Sequence, residues 1–274
     1  MRYACFVYSS AKEIQNYFIR NSKEVLYVEK VFIAASLCVT ASFATWDKFP
    51  VLENHKGETV VGAGFVKQGE PMMLVPYIGS RYTVLPNLEL GLVLPYYVNL
   101  NINNENGLSN PLFMARYQFL PTLNAFLDVQ VPISNDPYSS SEWSFNFGAQ
   151  YSQNFGVVDF GAELGLTVNT SGEDKVSPPL KLNFGAEVDF NLGVPLTPFI
   201  GADALMAIGK PTDEFGNFGD DLTGDFAVLP YVGLKYTFTP NVSVQASVMT
   251  MLGKEDMVGP DTPIVAELRL KMFF

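Results

Sequence analysis

The chain has 274 residues, of which 48% are hydrophobic and 16% charged, with 17 Lys and Arg against 28 Asp and Glu and a formal net charge of −11. Soluble proteins average about 25% charged residues. A nucleic-acid binder presents a basic face, so this balance excludes a nucleic-acid partner, and the 14% aromatic content excludes long disorder. No apolar run reaches the roughly 18 residues of a spanning helix. Two fold classes therefore remain, a buried β protein and a membrane β-barrel.

An apolar run near the N-terminus is typical of a secretory signal. Residues 31–44 follow Lys30 and end in Ser42-Phe43-Ala44, with small residues at the −3 and −1 positions of a cleavage site. We therefore predict cleavage between Ala44 and Thr45. Residues 1–44, an upstream extension plus the signal peptide, would be removed.

Removal of residues 1–44 changes two properties of the chain. It takes away both cysteines, Cys5 and Cys38, which excludes a disulfide scaffold, a thiol nucleophile and cysteine metal sites. The removed part carries five Lys or Arg and three Asp or Glu, so the net charge moves from −11 to −13. We expect residues 45–57 to form a periplasmic N-terminal segment.

From residue 58 onward the sequence alternates with a period of two. In residues 180–192, Leu, Phe, Ala and Val occupy the even positions, while Lys, Asn, Gly, Glu and Asp occupy the odd ones. Such alternation indicates a strand with one apolar and one polar face. Within each of the segments 158–169 and 264–274, all charged residues also lie on one face. Exposure of the other face to lipid would enforce this, because an outward Lys or Arg costs roughly 2–4 kcal/mol at mid-membrane.

The pattern predicts about twelve strands, with 10 or 14 as alternatives, and no helix between them. They cover 58–67, 72–85, 87–101, 111–120, 123–133, 142–153, 157–169, 179–192, 197–209, 225–239, 242–252 and 262–274. Short turns alternate with longer polar loops. We therefore predict an all-β fold, a transmembrane antiparallel up-and-down β-barrel over residues 58–274, with its turns in the periplasm and its loops outside.

Four tyrosines recur at one place in this pattern. Residues 74–87, LVPYIGSRYTVLPN, and residues 228–241, VLPYVGLKYTFTPN, are copies of one another, and weaker copies lie near 114–122 and 148–154. In each copy an inward basic or polar residue precedes an outward Tyr near a short turn. These tyrosines are predicted to form an aromatic girdle at the membrane interface: Tyr82, Tyr117, Tyr151 and Tyr236.

The C-terminus ends in an aromatic residue after alternating apolar residues. Leu268, Leu270, Met272 and Phe274 share one face of the last strand. This segment resembles the C-terminal assembly signal of bacterial outer-membrane β-barrel proteins of the porin type. The resemblance implies a Gram-negative outer membrane, recognition by the barrel assembly machinery and periplasmic chaperones, and contact with outer-membrane lipids and lipopolysaccharide. The oligomeric state stays open.

The charges predicted to face the lumen are mixed in sign. Six are basic and eight acidic: Arg81, Arg116, Lys181, Lys235, Arg269, Lys271, Glu89, Asp128, Asp159, Glu163, Glu187, Asp189, Asp203 and Glu267. Two interpretations stay open. One is a narrow water-filled passage whose charges tune selectivity, favoured by space beside inward glycines such as Gly185, Gly201 and Gly233. The other is a closed interior satisfied by salt bridges.

Nothing in the sequence indicates catalysis, a cofactor or a metal. The sole histidine, His55, lies in a polar segment before the first strand and is expected to be a solvated linker residue. The acidic loop 210–224 departs from the calcium-loop pattern. Our leading hypothesis is a passive porin-like channel for ions or small polar solutes. The alternative is a non-conducting structural or surface-binding barrel acting through its acidic extracellular loops.

Overall fold

A computed structural model describes residues 47–101, 106–133, 142–172, 177–212, 221–259 and 261–274. The strands are β1 (Gly57–Lys67), β2 (Met72–Leu85), β3 (Leu88–Asn99), β4 (Asn106–Leu108), β5 (Leu112–Leu120), β6 (Leu123–Gln130), β7 (Ser144–Asn154), β8 (Val158–Asn169), β9 (Leu180–Phe190), β10 (Leu196–Ile208), β11 (Phe226–Thr239), β12 (Val242–Thr250), β13 (Leu252–Gly253) and β14 (Ile264–Phe273). A four-residue helix, α1, covers Glu255–Val258. The predicted cleavage site and residues 213–220 of the acidic loop lie outside the described residues.

Twelve of these strands close into one antiparallel barrel. Each barrel strand pairs with its neighbour in the chain, and β14 pairs back onto β1 from Glu58↔Phe273 to Lys67↔Ile264. The short strands β4 and β13 pair with β3 and β11. Closure gives every strand edge a partner, which a hydrocarbon environment requires. The predicted twelve-strand barrel is confirmed. Among the described residues, no helix is long and apolar enough to cross a membrane.

Side chains alternate between the lumen and the outer surface of the barrel. Along β2, Val75, Arg81 and Thr83 are buried, whereas Ile78 and Tyr82 are exposed. The same parity leaves large apolar side chains exposed on the outer face of every long strand. A soluble monomer rarely exposes a continuous apolar surface, but acyl chains solvate one well. The outer surface therefore matches a bilayer.

The lumen has two regions that differ in polarity. Toward the short turns, the strands place charged and amide side chains inside the barrel. Toward the longer loops, the inward positions of β1–β3, β5, β10–β12 and β14 are mainly apolar and form one cluster with residues of the loop after β12, whereas those of β6, β7 and β9 include Asp128, Asn146 and Asn183. The core of the protein therefore lies inside the barrel rather than between layers of secondary structure.

Candidate functional site in the barrel lumen

Arg81 of β2 and Arg116 of β5 form the centre of a buried polar network. The strand register places Arg81 opposite Glu58 and Arg116 opposite Glu89. The Nη2 atom of Arg81 lies 2.5 Å from Glu58 Oε2 and 2.7 Å from Asp47 Oδ2. The Nη1 atom of Arg116 lies 3.2 Å from Glu89 Oε1 and 3.3 Å from Asp47 Oδ1. Asp47 thus bridges two arginines from strands on one side of the barrel.

The N-terminal segment, residues 47–52, lies inside the turn end of the lumen. The backbone N–H of Leu52 donates to Glu89 Oε2 at 3.0 Å, and the carbonyl of Leu52 accepts a hydrogen bond from Thr83 Oγ1 at 3.0 Å. The backbone N–H of Val51 donates to Gln118 Oε1, and the side-chain amides of Asn124 and Gln150 donate to backbone carbonyl oxygens of this segment. We expected residues 45–57 to form a periplasmic segment and did not foresee that residues 47–52 enter the barrel.

Lys48 crosses the lumen to the opposite wall. Its Nζ atom lies 2.8 Å from Asp203 Oδ1 and donates a hydrogen bond to the Tyr231 hydroxyl at 3.2 Å. Glycines on the facing strands give this side chain room. A Cβ atom at Gly161 would lie 2.8 Å from Lys48 Cβ, and one at Gly185 would meet Lys48 Cε. The narrow inner surface of β8 and β9 is therefore shaped to hold the N-terminal segment.

Electrostatics keep both charges of this segment in place. Burial acts to raise the pKa of Asp47, but Arg81 and Arg116 outweigh it and hold this pKa below its ordinary value of 3.8. Burial acts to lower the pKa of Lys48, but Asp203 and Glu163 outweigh it and raise this pKa well above its ordinary value. Asp47 is therefore ionised and Lys48 protonated across the neutral range.

The loop end of the lumen is apolar and rich in methionine. Met73, Met249, Met251 and Met257 are buried there, and Met257 belongs to the short helix α1. The amide of Gln68 holds this loop by donating to the carbonyl oxygens of Val258 at 2.8 Å and of Asp261 at 2.9 Å. Unbranched thioether side chains adapt to different shapes, so this lining is apolar but deformable.

A cavity of about 110 Å³ lies between the N-terminal segment and the wall formed by β9–β12 and β14. Its acidic lining comes from Asp47, Glu187, Asp189 and Asp203, and its basic lining from Lys48, Lys235, Arg269 and Lys271. Phe199, Leu229 and Met249 add apolar surface. The cavity thus joins the polar region of the lumen to the apolar region nearer the longer loops.

All fourteen charges predicted to face the lumen occupy the inward parity of their strands. Seven of them are also buried: Arg81, Glu89, Arg116, Asp128, Asp189, Glu267 and Lys271. Half-buried positions hold Asp159, Glu163, Lys181, Glu187, Asp203, Lys235 and Arg269. Charged residues of the first strands belong to the network around Arg81 and Arg116, and charged residues of the last strands line the cavity. Lys181 lies farther toward the loops and lines neither.

Among the described residues, three charged residues of the lumen were not predicted from the sequence. Asp47 and Lys48 belong to a segment without periodicity, so no pattern placed them inside. Glu58 is fully buried and shares its parity with Val60, which is also inward. The inward position of Glu58 could have been predicted from the neighbouring strand, because Arg81 needs an acidic partner on β1.

The inward glycines mark packing rather than open space. A Cβ atom at Gly201 would meet the Tyr231 ring, and one at Gly233 would meet the Phe199 ring. At Gly185 it would meet Lys48 and Asp203. The expectation that these three glycines favour a passage by leaving space is therefore wrong, because side chains from adjacent strands cover them.

The four predicted girdle tyrosines, Tyr82, Tyr117, Tyr151 and Tyr236, are all exposed on the outer surface of the barrel. The C-terminal residues Leu268, Leu270, Met272 and Phe274 are exposed on the same surface. The Phe274 ring packs against Gly57 and stacks on the Tyr82 ring with a centroid distance of 6.4 Å. The C-terminal aromatic residue thus lies at the seam where β14 meets β1.

The described residues contain no group of three or more His, Cys, Asp or Glu side chains arranged to hold a metal ion. His55 is exposed before β1, with its Nδ1 atom 3.5 Å from the Tyr82 hydroxyl. This ring lies on the outside of the barrel and away from the cavity lining.

Residues 56–256 match the model of the protein family described as "Putative MetA-pathway of phenol degradation". The chain belongs to this family. A search of curated protein sequences found no match.

Solved structures share the fold of the chain at low sequence identity. An outer-membrane channel from Pseudomonas putida F1 superposes with a TM-score of 0.60 at 12% identity, covering 83% of this chain and 98% of the other. The translocator domain of the autotransporter NalP from Neisseria meningitidis gives 0.54 at 12% identity, covering 90% and 98%. A NanC porin gives 0.55 at 9% identity, covering 78% and 98%. The fold is that of a bacterial outer-membrane barrel, and the chain resides in that membrane, as predicted.

Proposed function

We propose that the protein is a passive channel for small solutes and that the path runs through the cavity beside the N-terminal segment. The observation that supports this most is the cavity itself, lined by charged side chains inside a closed membrane barrel. A barrel with only a structural role gains nothing from holding ionised groups around unfilled space, because burying charge is costly.

The two regions of the lumen favour a particular kind of solute. A molecule that enters from the loop end meets adaptable Met side chains, such as Met249, before it reaches the charged cavity. The path therefore accommodates polar groups and some apolar surface together. The family description names phenol degradation, and phenol combines an apolar ring with a hydroxyl group. We propose small polar solutes, including solutes with an apolar part.

The cavity sets a limit on size. With a volume of about 110 Å³, the cavity has room for small molecules only. Larger solutes require the N-terminal segment or the Met-lined loop to move.

A non-conducting barrel is the second candidate, and the packing of the lumen favours it. Arg116 and Met251, one from each region, are almost completely buried. In this alternative, the polar network and the apolar cluster only stabilise the barrel, and function lies in the external loops.

Swelling of proteoliposomes separates these candidates. Vesicles that contain the folded protein should swell in erythritol faster than protein-free vesicles and should swell more slowly in the larger sorbitol. Heat-unfolded protein is the control, and a mobility shift between boiled and unboiled samples on a gel verifies the barrel. Rates equal to those of protein-free vesicles, with the folded barrel present, would exclude the channel.

A further inference from the structure

The cavity has walls of opposite charge. Glu187 and Asp189 of β9 and Asp203 of β10 form an acidic wall. The basic wall belongs to β11 and β14, where Lys235 lies opposite Gln245 of β12, which in turn lies opposite Arg269. Lys271 follows two residues after Arg269 on the same inward face. The inward face of β14 also carries Glu267, whose Oε2 atom lies 2.6 Å from Arg269 Nη2, so the basic wall offers a solute mainly Lys235 and Lys271.

The N-terminal segment already holds a pair of opposite charges in the lumen. The ammonium group of Lys48 lies against Asp203 and the Tyr231 hydroxyl, whose proton is donated to Glu187 Oε2 at 2.7 Å. The carboxylate of the adjacent Asp47 lies against arginines on the other side. The lumen therefore already holds an ammonium and a carboxylate, on the side chains of two adjacent residues.

Groups of both signs remain incompletely bonded at the cavity. The Asp189 Oδ1 atom is buried and accepts no hydrogen bond from the described residues. The Nζ atom of Lys235 lies 3.6 Å from Asp189 Oδ2, and that of Lys271 lies 3.8 Å from Glu58 Oε1. Both separations exceed hydrogen-bond length. An incoming donor can therefore bind at the acidic wall and an incoming acceptor at the basic wall.

The balance of charge favours neither anions nor cations. The lining contains four acidic and four basic side chains, so a solute with a single charge is attracted by one wall and repelled by the other. A solute that carries both charges is attracted by both, and the low local dielectric strengthens each interaction.

We propose that the cavity is a subsite for small zwitterions, with the ammonium of the solute toward Asp189 and its carboxylate toward Lys235 and Lys271. This deepens the proposed channel function and rests on it. Phe199, Leu229 and Met249 would contact any apolar substituent.

The test compares glycine with glycolamide, its uncharged constitutional isomer, so that size and composition are identical. Initial swelling rates of proteoliposomes, corrected for protein-free vesicles, should favour glycine by at least about threefold, a modest preference because water screens part of the field. The variants Asp189→Asn and Lys235→Gln/Lys271→Gln should each bring the ratio close to one. The controls Asp159→Asn and Lys181→Gln remove lumen charges that do not line the cavity, and they should leave the ratio unchanged.

Saturation-transfer NMR in detergent micelles, with glycine and glycolamide as the probes, gives a readout that does not need flux. Glycine should give the stronger signal, and the cavity variants should lose it. Equal or weaker glycine signal and a swelling ratio of one or less would overturn the zwitterion subsite while leaving the channel intact. Absence of swelling in both solutes, combined with glycine binding, would instead refute the channel and retain the subsite.

Discussion

Replacing Asp47 by alanine tests whether its carboxylate holds the N-terminal segment in the lumen. This group accepts hydrogen bonds from Arg81 at 2.7 Å and Arg116 at 3.3 Å, and from the N–H of Phe49 at 3.1 Å. The variant leaves two buried guanidinium groups short of one acidic partner, though Glu58 and Glu89 remain.

The expected effect follows from the energetics of buried ion pairs. Removing one partner of such a pair costs roughly 3–5 kcal/mol, and we take about 3 kcal/mol because the two other acids remain. Since about 1.4 kcal/mol is a tenfold change in an equilibrium constant, the undocked population of the segment should rise about a hundredfold.

Trypsin measures this population through Lys48. The side chain of Lys48 is buried in the docked segment, so cleavage after it requires undocking, and its rate follows the open population when docking is fast. Intact-mass spectrometry of the folded barrel should show cleavage after Lys48 about a hundredfold faster in Asp47→Ala. Glu53→Ala, which removes an exposed carboxylate from the same stretch, is the matched control. Equal rates in wild type, Asp47→Ala and Glu53→Ala would refute the role of Asp47.

Three further predictions concern pH, packing and assembly. The pKa of Asp47 is lowered in the folded protein, so its contribution to docking is complete above the ordinary pKa of 3.8 and is lost only as the pH falls through the lower folded pKa. The pKa of Lys48 is raised in the folded protein, so its contribution is complete below the ordinary pKa of 10.5 and is lost as the pH rises through the higher folded pKa. Hydrogen exchange at the Leu52 amide, corrected for intrinsic rates, should show constant protection between pH 7 and 9, and a loss of protection within this range would contradict the ion-pair assignment. Gly233→Ala should lower the free energy of unfolding by about 1–3 kcal/mol in urea titrations, because its Cβ meets the Phe199 ring and a backbone oxygen, whereas Gly64→Ala, with its nearest atom at 3.9 Å, should not. Phe274→Ala should reduce the heat-modifiable outer-membrane fraction in cells relative to Phe155→Ala, an exposed turn aromatic, and equal fractions would remove Phe274 from the assembly signal.

Most of the barrel could be predicted because lipid and lumen impose a period of two on each strand. The strand predicted over 179–192 is observed as Leu180–Phe190, and the period-two pattern placed Arg116 and Glu89 inside. The sequence could not supply cross-strand neighbours, because register depends on the closed sheet. For that reason the aromatic cover over Gly201 and Gly233 was missed.

The candidate site was predictable only in part. Its basic and acidic walls lie on strands, and their charges followed from parity. Its remaining boundary is the N-terminal segment, in which Asp47 and Lys48 are held by tertiary ion pairs rather than by regular secondary structure. Such contacts leave no periodic signal in the sequence, so the presence of the N-terminal segment in the lumen could be seen only in the folded chain.

Single-channel recording in planar bilayers tests the proposed channel most directly. Wild-type protein should give discrete conductance steps, and the double variant Asp47→Ala/Lys48→Ala, which releases the N-terminal segment from both walls, should give larger steps under the same salt conditions. Absence of steps from both proteins over a range of salt concentrations, with the folded barrel verified on a gel, would contradict a conducting lumen.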